Sequence, residues 1–251
     1  MQKKIIWLIG ASSGIGLALA RHSLLCGERV IVSARDTASS EPLRLLKNEY
    51  KNELHLVDMD VSQTQSVTKA VKEAWEIYGG LDIAFYNAGA YESMKVAEWD
   101  LAHFESMAQV NYLGAVRVLT QIVPLFLEQK RGHIAFNASI SSYFGLPYGG
   151  AYSSPKAALL NLCESLYPEL SSKNIDLQIV NHGFVKSKLT AKNEFDMPQL
   201  LEPEEAALKI YEGLKNPKKF EIKFPFALTS FLYLLKVLPY SLAFWFTKKA
   251  L

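Results

Sequence analysis

Three glycines, at positions 10, 14 and 16, stand between a short apolar run, Ile5-Ile6-Trp7-Leu8-Ile9, and an apolar-periodic stretch through Leu17, Leu19 and Ala20. A chain that leaves a buried strand, turns within a few residues and enters a helix needs glycine wherever its backbone must approach another backbone or a ligand closely. Gly10-Ala11-Ser12-Ser13-Gly14-Ile15-Gly16 thus aims backbone N–H groups and a helix N-terminus at one point, an arrangement suited to a pyrophosphate. The same spacing also serves a strand-to-helix turn that holds nothing; its position directly between strand and helix favours the phosphate.

The remainder of the chain repeats the alternation. Candidate strands are Lys4–Ile9, Arg29–Ala34, Leu54–Met59, Leu81–Asn87, His133–Asn137, Ile175–Asn181 and Phe220–Lys223, separated by helical patterns. Such alternation predicts an α/β fold of Rossmann type, a doubly wound, seven-stranded parallel sheet with helices on both faces. Helix starts are marked by a Ser62/Gln65 capping box, by Asp100 before a long pattern reaching Gln129, and by Pro203 at a first helical position. Ligands of such sheets bind beyond the carboxyl ends of the strands, so the residues following each strand carry the functional reading.

With 49% hydrophobic and 21% charged residues among 251, and no linker or repeat, residues 1–251 read as a single domain. A net charge of +2 offers no field for nucleic acid. Cys26 and Cys163 lack metal-ligand spacing and form no disulfide framework. The N-terminal apolar run is too short for a secretory signal, so a reducing, cytoplasmic setting is expected.

Gly-x-x-x-Gly-x-Gly in this setting resembles the short-chain dehydrogenase/reductase family, and the similarity extends over roughly the first 190 residues. Asp60-Val61 after the third strand resembles the family's adenine-contacting pair, and Asn87-Ala88-Gly89 after the fourth its Asn-Ala-Gly turn. The resemblance implies a nicotinamide cofactor held by Gly10, Ser12, Ser13, Gly14, Ile15, Gly16, Asp60, Val61, Asn87, Ala88 and Gly89, and by Gly183, Val185 and Ser187 after the sixth strand. At the end of the second strand, Ala34 stands where relatives preferring NAD carry an acid, and Arg35 follows. A guanidinium pairs with a 2′-phosphate that a carboxylate would repel, so NADP is expected over NAD, with Ser12 as a further phosphate contact. Read alone, Arg35 is equally a solvated loop residue beside Asp36.

Tyr152 and Lys156, in Tyr-Ser-Ser-Pro-Lys, share one helix face. A phenol titrates near 10 and shuttles protons poorly at neutral pH unless a cation stabilises its phenolate, which Lys156 supplies. Pro155 requires the helix to begin close to Tyr152. By resemblance Lys156 also holds the nicotinamide ribose, Ser139 is the serine that binds the substrate oxygen, and Asn111 is a fourth catalytic position holding a water that links the lysine to solvent. Ser141 and Ser142 are competitors that only the thirteen-residue spacing from Tyr152 sets aside. The chemistry implied is hydride transfer between NADP(H) and an alcohol/carbonyl substrate, with no metal.

Departures from the family pattern are Ile9 for a threonine, Tyr86 for an asparagine, both altering local support, and His182 for a proline. His182 either fills the proline's place or contacts substrate or cofactor. The substrate loop is placed at about 188–201, with Phe144, Tyr148 and Phe184 suggesting an apolar substrate. Residues 224–251 form an apolar extension. Pro225, Pro239 and a central Lys236 oppose a membrane span, since a lysine there costs about 2.5–3.5 kcal/mol. Two short segments are expected, the first with Thr229, Tyr233 and Lys236 on a polar face. They rest on a bilayer surface as a peripheral contact through 224–249, cover the active site, or enter a subunit interface. Relatives pair through the helices holding Asn111 and Tyr152, so a homodimer or homotetramer is expected. Two rival readings are a regulator that binds a dinucleotide without catalysis, which need not keep Asn111, Ser139, Tyr152 and Lys156, and a membrane-surface protein, which does not account for that set.

Overall fold

A computed structural model describes residues 3–192 and 196–249. Its strands are β1 (Ile5–Ile9), β2 (Arg29–Ala34), β3 (Leu54–Asp58), β4 (Ile83–Tyr86), β5 (Gly132–Asn137), β6 (Ile175–His182) and β7 (Glu221–Phe224). All seven lie parallel in one sheet of order β3-β2-β1-β4-β5-β6-β7. Each expected strand is present, β2 with the expected bounds and the others with one or both ends moved by no more than two residues.

The helices are α1 (Gly14–Leu25), α2 (Glu41–Glu49), α3 (Thr64–Tyr78), α4 (Leu101–Ala108), α5 (Gly114–Gln129), α6 (Gly150–Ser172), α7 (Pro203–Leu214), α8 (Phe226–Val237) and α9 (Tyr240–Lys248). β1 shows why both sheet faces are covered: Trp7 and Ile9 pack with Val67 and Val71 of α3, Phe126 of α5 and Leu159 of α6. Ile6 and Leu8, pointing the other way, pack with Leu19 of α1, Leu43 of α2 and Ile210 of α7. The strand order reverses between β1 and β4, where Ile9 pairs with Tyr86. That switch point brings Gly10 and Asn87 side by side at the carboxyl edge.

Pro203 opens α7, and Asp100 caps α4 by accepting from Ala102 N at 3.0 Å, as the sequence predicts. The Ser62/Gln65 capping box does not form. Asp60 Oδ1 accepts from both the backbone N–H and the hydroxyl of Ser62, at 2.9 and 2.7 Å, so a turn centred on the aspartate takes the serine. Helix α3 then starts at Thr64 behind Gln63, which gives no side-chain cap.

The long pattern from Asp100 is α4 and α5 joined by a π-helical turn, Gln109–Leu113. A π turn frees a backbone carbonyl from the usual ladder. Here the Tyr86 hydroxyl, from β4, donates to Val110 O at 2.6 Å. Gly114 leaves room for that phenol, since a Cβ there would lie 2.3 Å from the Tyr86 oxygen.

Candidate active site

The loops beyond the carboxyl ends of the central strands enclose a cleft of about 1680 Å³. The glycine turn forms one wall, and its residues have different tasks. Gly10, at φ +83°, passes so close to the next loop that a Cβ would meet Ala88 Cα at 2.5 Å. Gly14, at φ +55°, faces the cleft, as do Ser12, Ser13 and Ile15. Gly16 does not: it is buried, and a Cβ would lie 2.7 Å from Ala11 Cα, Asn87 Nδ2 and Gly10 O. The third glycine therefore lets α1 pack against the turn, while the first two shape the concavity.

Arg35, Asp60, Val61, Asn87, Ala88 and Gly89 continue the wall. Arg35 is exposed and Ala34 beside it buried. Burial works against ionisation of Asp60, but the Ser62 hydrogen bonds and the charges of Arg35 and Arg117 outweigh it and hold the carboxyl below its usual value. A positive side chain next to a small apolar one thus lines this end of the cleft.

Three hydrogen bonds cross the sheet edge. Asn87 Nδ2 donates to Gly10 O at 2.6 Å, Asn137 Nδ2 donates to Asn87 Oδ1 at 2.8 Å, and Lys156 Nζ donates to Asn137 O at 2.8 Å. Lys156 is buried, and desolvation brings its ammonium down to about 8. Its Nζ lies 5.7 Å from the centre of the Tyr152 ring. Part of that ring faces the cleft while its surroundings desolvate the hydroxyl, pushing it up to about 12. A side-chain hydrogen bond with Ser139 pulls the other way, and Tyr91, whose ring meets Tyr152 edge-on at 4.9 Å, adds to the rise. Helix α6 begins two residues before Tyr152, so Pro155 falls in its second turn.

Of the three serines after β5, Ser139 is the one acting on Tyr152. It also accepts from Ser141 N at 3.2 Å. The Ser142 hydroxyl is engaged elsewhere, donating to Asn181 Oδ1 at 2.9 Å in a buried group with Glu221 and Tyr143. Asn111 sits within the π turn, outside the cleft wall. Its amide makes a reciprocal pair of bonds with one residue, accepting from Ala90 N at 3.0 Å and donating to Ala90 O at 2.8 Å. The side chain thus clamps the loop after β4; an amide has a second N–H and a second lone pair, so these two bonds leave capacity for the expected water.

After β6, Gly183, Val185 and Ser187 reach the cleft. Thr190, which the sequence reading passed over, donates to Val185 O at 2.8 Å and accepts from Ser187 N at 2.9 Å, fixing this bend. His182 occupies the proline's position and also lines the cleft. Its Nδ1 lies 2.7 Å from Gly183 O, which can only accept, so the ring carries its proton there and leaves Nε2 with a lone pair. Burial and the nearby Lys156 charge lower its pKa to about 4, so it is neutral.

Tyr148 and Phe184 line the cleft, whereas Phe144 packs on Phe244 of α9 at 6.1 Å between ring centres. Of the substrate loop 188–201, residues 193–195 lie outside the described residues. The far wall comes from the C-terminal helices through Leu228, Phe231, Leu232 and Lys249. Covering the active site is one of the three places the sequence leaves open for the 224–249 segments, and these residues take it; Tyr91 and Arg117, also in the wall, carry no local sequence signal.

A family model described as short chain dehydrogenase matches residues 4–197. An uncharacterized oxidoreductase of Myxococcus xanthus is 30% identical over 239 residues, covering 95% of this chain and 94% of that protein. Among solved structures, an alcohol dehydrogenase from the archaeon Thermococcus sibiricus, complexed with 5-hydroxy-NADP, superposes with a TM-score of 0.79 at 27% identity, covering 89% of this chain and 96% of that one. A short chain dehydrogenase/reductase from Burkholderia phymatum in complex with NAD has a TM-score of 0.83 at 21% identity, covering 93% and 92%.

Proposed function

The chain belongs to the short-chain dehydrogenase/reductase family of nicotinamide-dependent oxidoreductases, and within it we propose an NADP(H)-dependent enzyme that interconverts an apolar alcohol and its carbonyl compound. The observation that carries this reading is the convergence of Ser139, Tyr152 and Lys156 on one cleft whose opposite wall is the glycine turn.

Gly10, Ser12, Ser13, Gly14 and Ile15 hold the pyrophosphate, with Gly16 supporting the turn from behind. Asp60 and Val61 flank the adenine side, Asn87, Ala88 and Gly89 the middle of the cofactor, and Gly183, Val185 and Ser187 the nicotinamide end. The cofactor supplies or accepts the hydride. The protein's part is proton movement and orientation. Ser139 holds the substrate oxygen, and Tyr152, a protonated phenol at neutral pH, donates to that oxygen in the reductive direction. The Lys156 ammonium favours the phenolate left behind, and Asn87 and Asn137 keep lysine and glycine turn in register. Asn111 acts by clamping Ala90, beside Tyr91 and Tyr152.

NADP over NAD is supported by Arg35 beside the buried Ala34, with Ser12 near. Residues 188–201, the aromatic Tyr148 and Phe184, and the apolar wall from α8 favour an apolar substrate. Subunits pair as a homodimer or homotetramer through the α5 and α6 side, where Leu113 and Leu127 are exposed. The deciding experiment follows NADPH and NADH absorbance across carbonyl compounds of graded size. Tyr152→Phe is expected to retain NADPH binding and lose about 10²–10⁴ in rate; equal rates in the two proteins overturn the assignment. Arg35→Ser is expected to weaken NADPH at least tenfold while sparing NADH.

A further inference from the structure

Helices α8 and α9 carry their apolar residues on the wrong side for a helix pair that only covers a core. Thr229, Leu232 and Leu235 of α8 and Ala243 of α9 face inward and are buried. The Thr229 hydroxyl is consumed by the backbone, donating to Pro225 O at 2.8 Å. The outward face of α8 is Phe226, Phe231, Tyr233, Leu234 and Val237, with Phe226 81% and Val237 64% exposed. This replaces the polar face of Thr229, Tyr233 and Lys236 read from the sequence: Thr229 is buried while Tyr233 and Lys236 are exposed. Tyr240, Leu242, Phe244, Trp245 and Phe246 extend the surface along α9. Ten of the twenty large hydrophobic side chains exposed among the described residues fall between 226 and 246, so this is one patch and not ordinary scatter. Ring contacts make it continuous, Phe231 meeting Phe246 at 6.1 Å and Tyr240 stacking on Phe244 at 5.6 Å.

Charge selects the occupant. From Phe224 to Leu251 the sequence holds Lys236, Lys248 and Lys249 and no Asp or Glu, while Lys223 of β7, just before, is paired with Glu221 at 3.6 Å. Lys249 Nζ lies 3.7 Å from the Trp245 ring centre, joining a cation to the amphipathic ring that settles at headgroup depth. A two-fold contact between copies would set this surface against itself, lysine against lysine, with no acid in the segment to pair across. Anionic headgroups supply the missing charge, and acyl chains the apolar partner. We infer that α8 and α9 form a docking face for an anionic phospholipid bilayer. Leu228, Phe231 and Leu232 belong to the same helix pair and wall the cleft. If the redox reading holds, the docked protein therefore presents its cleft to an apolar substrate carried in the lipid.

The test is co-sedimentation of the full chain with phosphatidylcholine vesicles, with and without phosphatidylglycerol, and involves no turnover, so it stands apart from the redox reading. Binding is expected to the anionic vesicles and to fall with added salt. Phe226→Glu/Val237→Glu should abolish it with an unchanged melting temperature, both side chains being exposed. Lys236→Gln/Lys248→Gln should weaken it on the order of 25-fold, about fivefold per lysine, and Leu45→Glu, an exposed leucine of α2, should leave it intact. Wild-type protein remaining in the supernatant with anionic vesicles overturns the inference, as does sedimentation of Phe226→Glu/Val237→Glu to the wild-type extent. A self-associated protein that Val237→Glu dissociates, without vesicle binding, assigns the face to a second copy and likewise overturns it.

Discussion

Lys156 and Gly10, 146 positions apart in sequence, are joined through two asparagines: the lysine donates to the carbonyl of Asn137, whose amide donates to Asn87, whose amide donates to the carbonyl of Gly10. The polar groups of α6 and the glycine turn are thus held in one register across β5, β4 and β1. Removing the middle residue leaves an acceptor on Gly10 and a donor on Asn137 unmet in a largely buried place, at about 1–3 kcal/mol each. Asn87→Ala is expected to lower unfolding free energy by a few kcal/mol and to weaken NADPH binding. Chemical denaturation and fluorescence titration check the two effects; wild-type affinity in a destabilised variant would confine the relay to a structural role.

Tyr86 holds the π turn by donating to Val110 O, in a space that only glycine at 114 leaves open. Tyr86→Phe strands that carbonyl and should cost about 1–3 kcal/mol. Gly114→Ala alone should be more harmful, because its methyl meets the phenol oxygen. Combined, the two substitutions should destabilise by less than the sum of their separate effects, since the first removes the atom the second strikes. Additive melting data for the four proteins of this cycle would show that the phenol and the π turn are not coupled.

The contrast between these two relationships explains what a reader of the chain alone can find. The parallel sheet is legible because Trp7 and Ile9 face one layer and Ile6 and Leu8 the other, giving a continuous apolar run that only a strand covered on both sides uses. The glycine turn, Tyr152 and Lys156 are legible because close backbone approach and phenol–ammonium chemistry each demand a residue type at fixed local spacing. The π turn at Asn111 is not, because its cause, Tyr86, lies 24 residues from the carbonyl it serves. Ser62 failed as a cap because Asp60, a better acceptor two residues away, engages it first. The inward stripe of α8 is not legible either, because a hydroxyl reads as polar surface whereas Thr229 spends it on the helix's own carbonyls.

His182 lines the cleft as a neutral ring with its Nδ1 proton committed to Gly183 O. The remaining lone pair, on Nε2, is an acceptor that a proline in this position could not offer. His182→Phe keeps an aromatic ring against Phe224, which His182 stacks on at 6.0 Å, and removes the Nε2 acceptor together with the Nδ1–H donated to Gly183 O. Loss of one neutral hydrogen bond predicts about a fivefold rise in the KM of the carbonyl substrate or the Kd of NADPH, with kcat little changed. If all three constants match the wild type, His182 fills space and nothing more.

His133 gives the fold a pH dependence of its own. It lies on β5, 5% exposed, and burial outweighs the opposing pull of Asp176 and of the Gln178 side chain on its charged form. Burial lowers its pKa from 6.5 to about 4. Between those values the unfolded chain binds the proton and the folded chain refuses it, so stability is complete above pH 6.5 and declines as pH falls toward 4. A difference of that size amounts to about 3 kcal/mol across the window. His133→Phe removes the titrating group, and its unfolding free energy should fall less steeply over the same range, whatever its stability at pH 7. Urea denaturation of both proteins at pH 7, 6, 5 and 4.5 compares the slopes directly; parallel curves would mean that His133 is protonated in the folded state as readily as in the unfolded one.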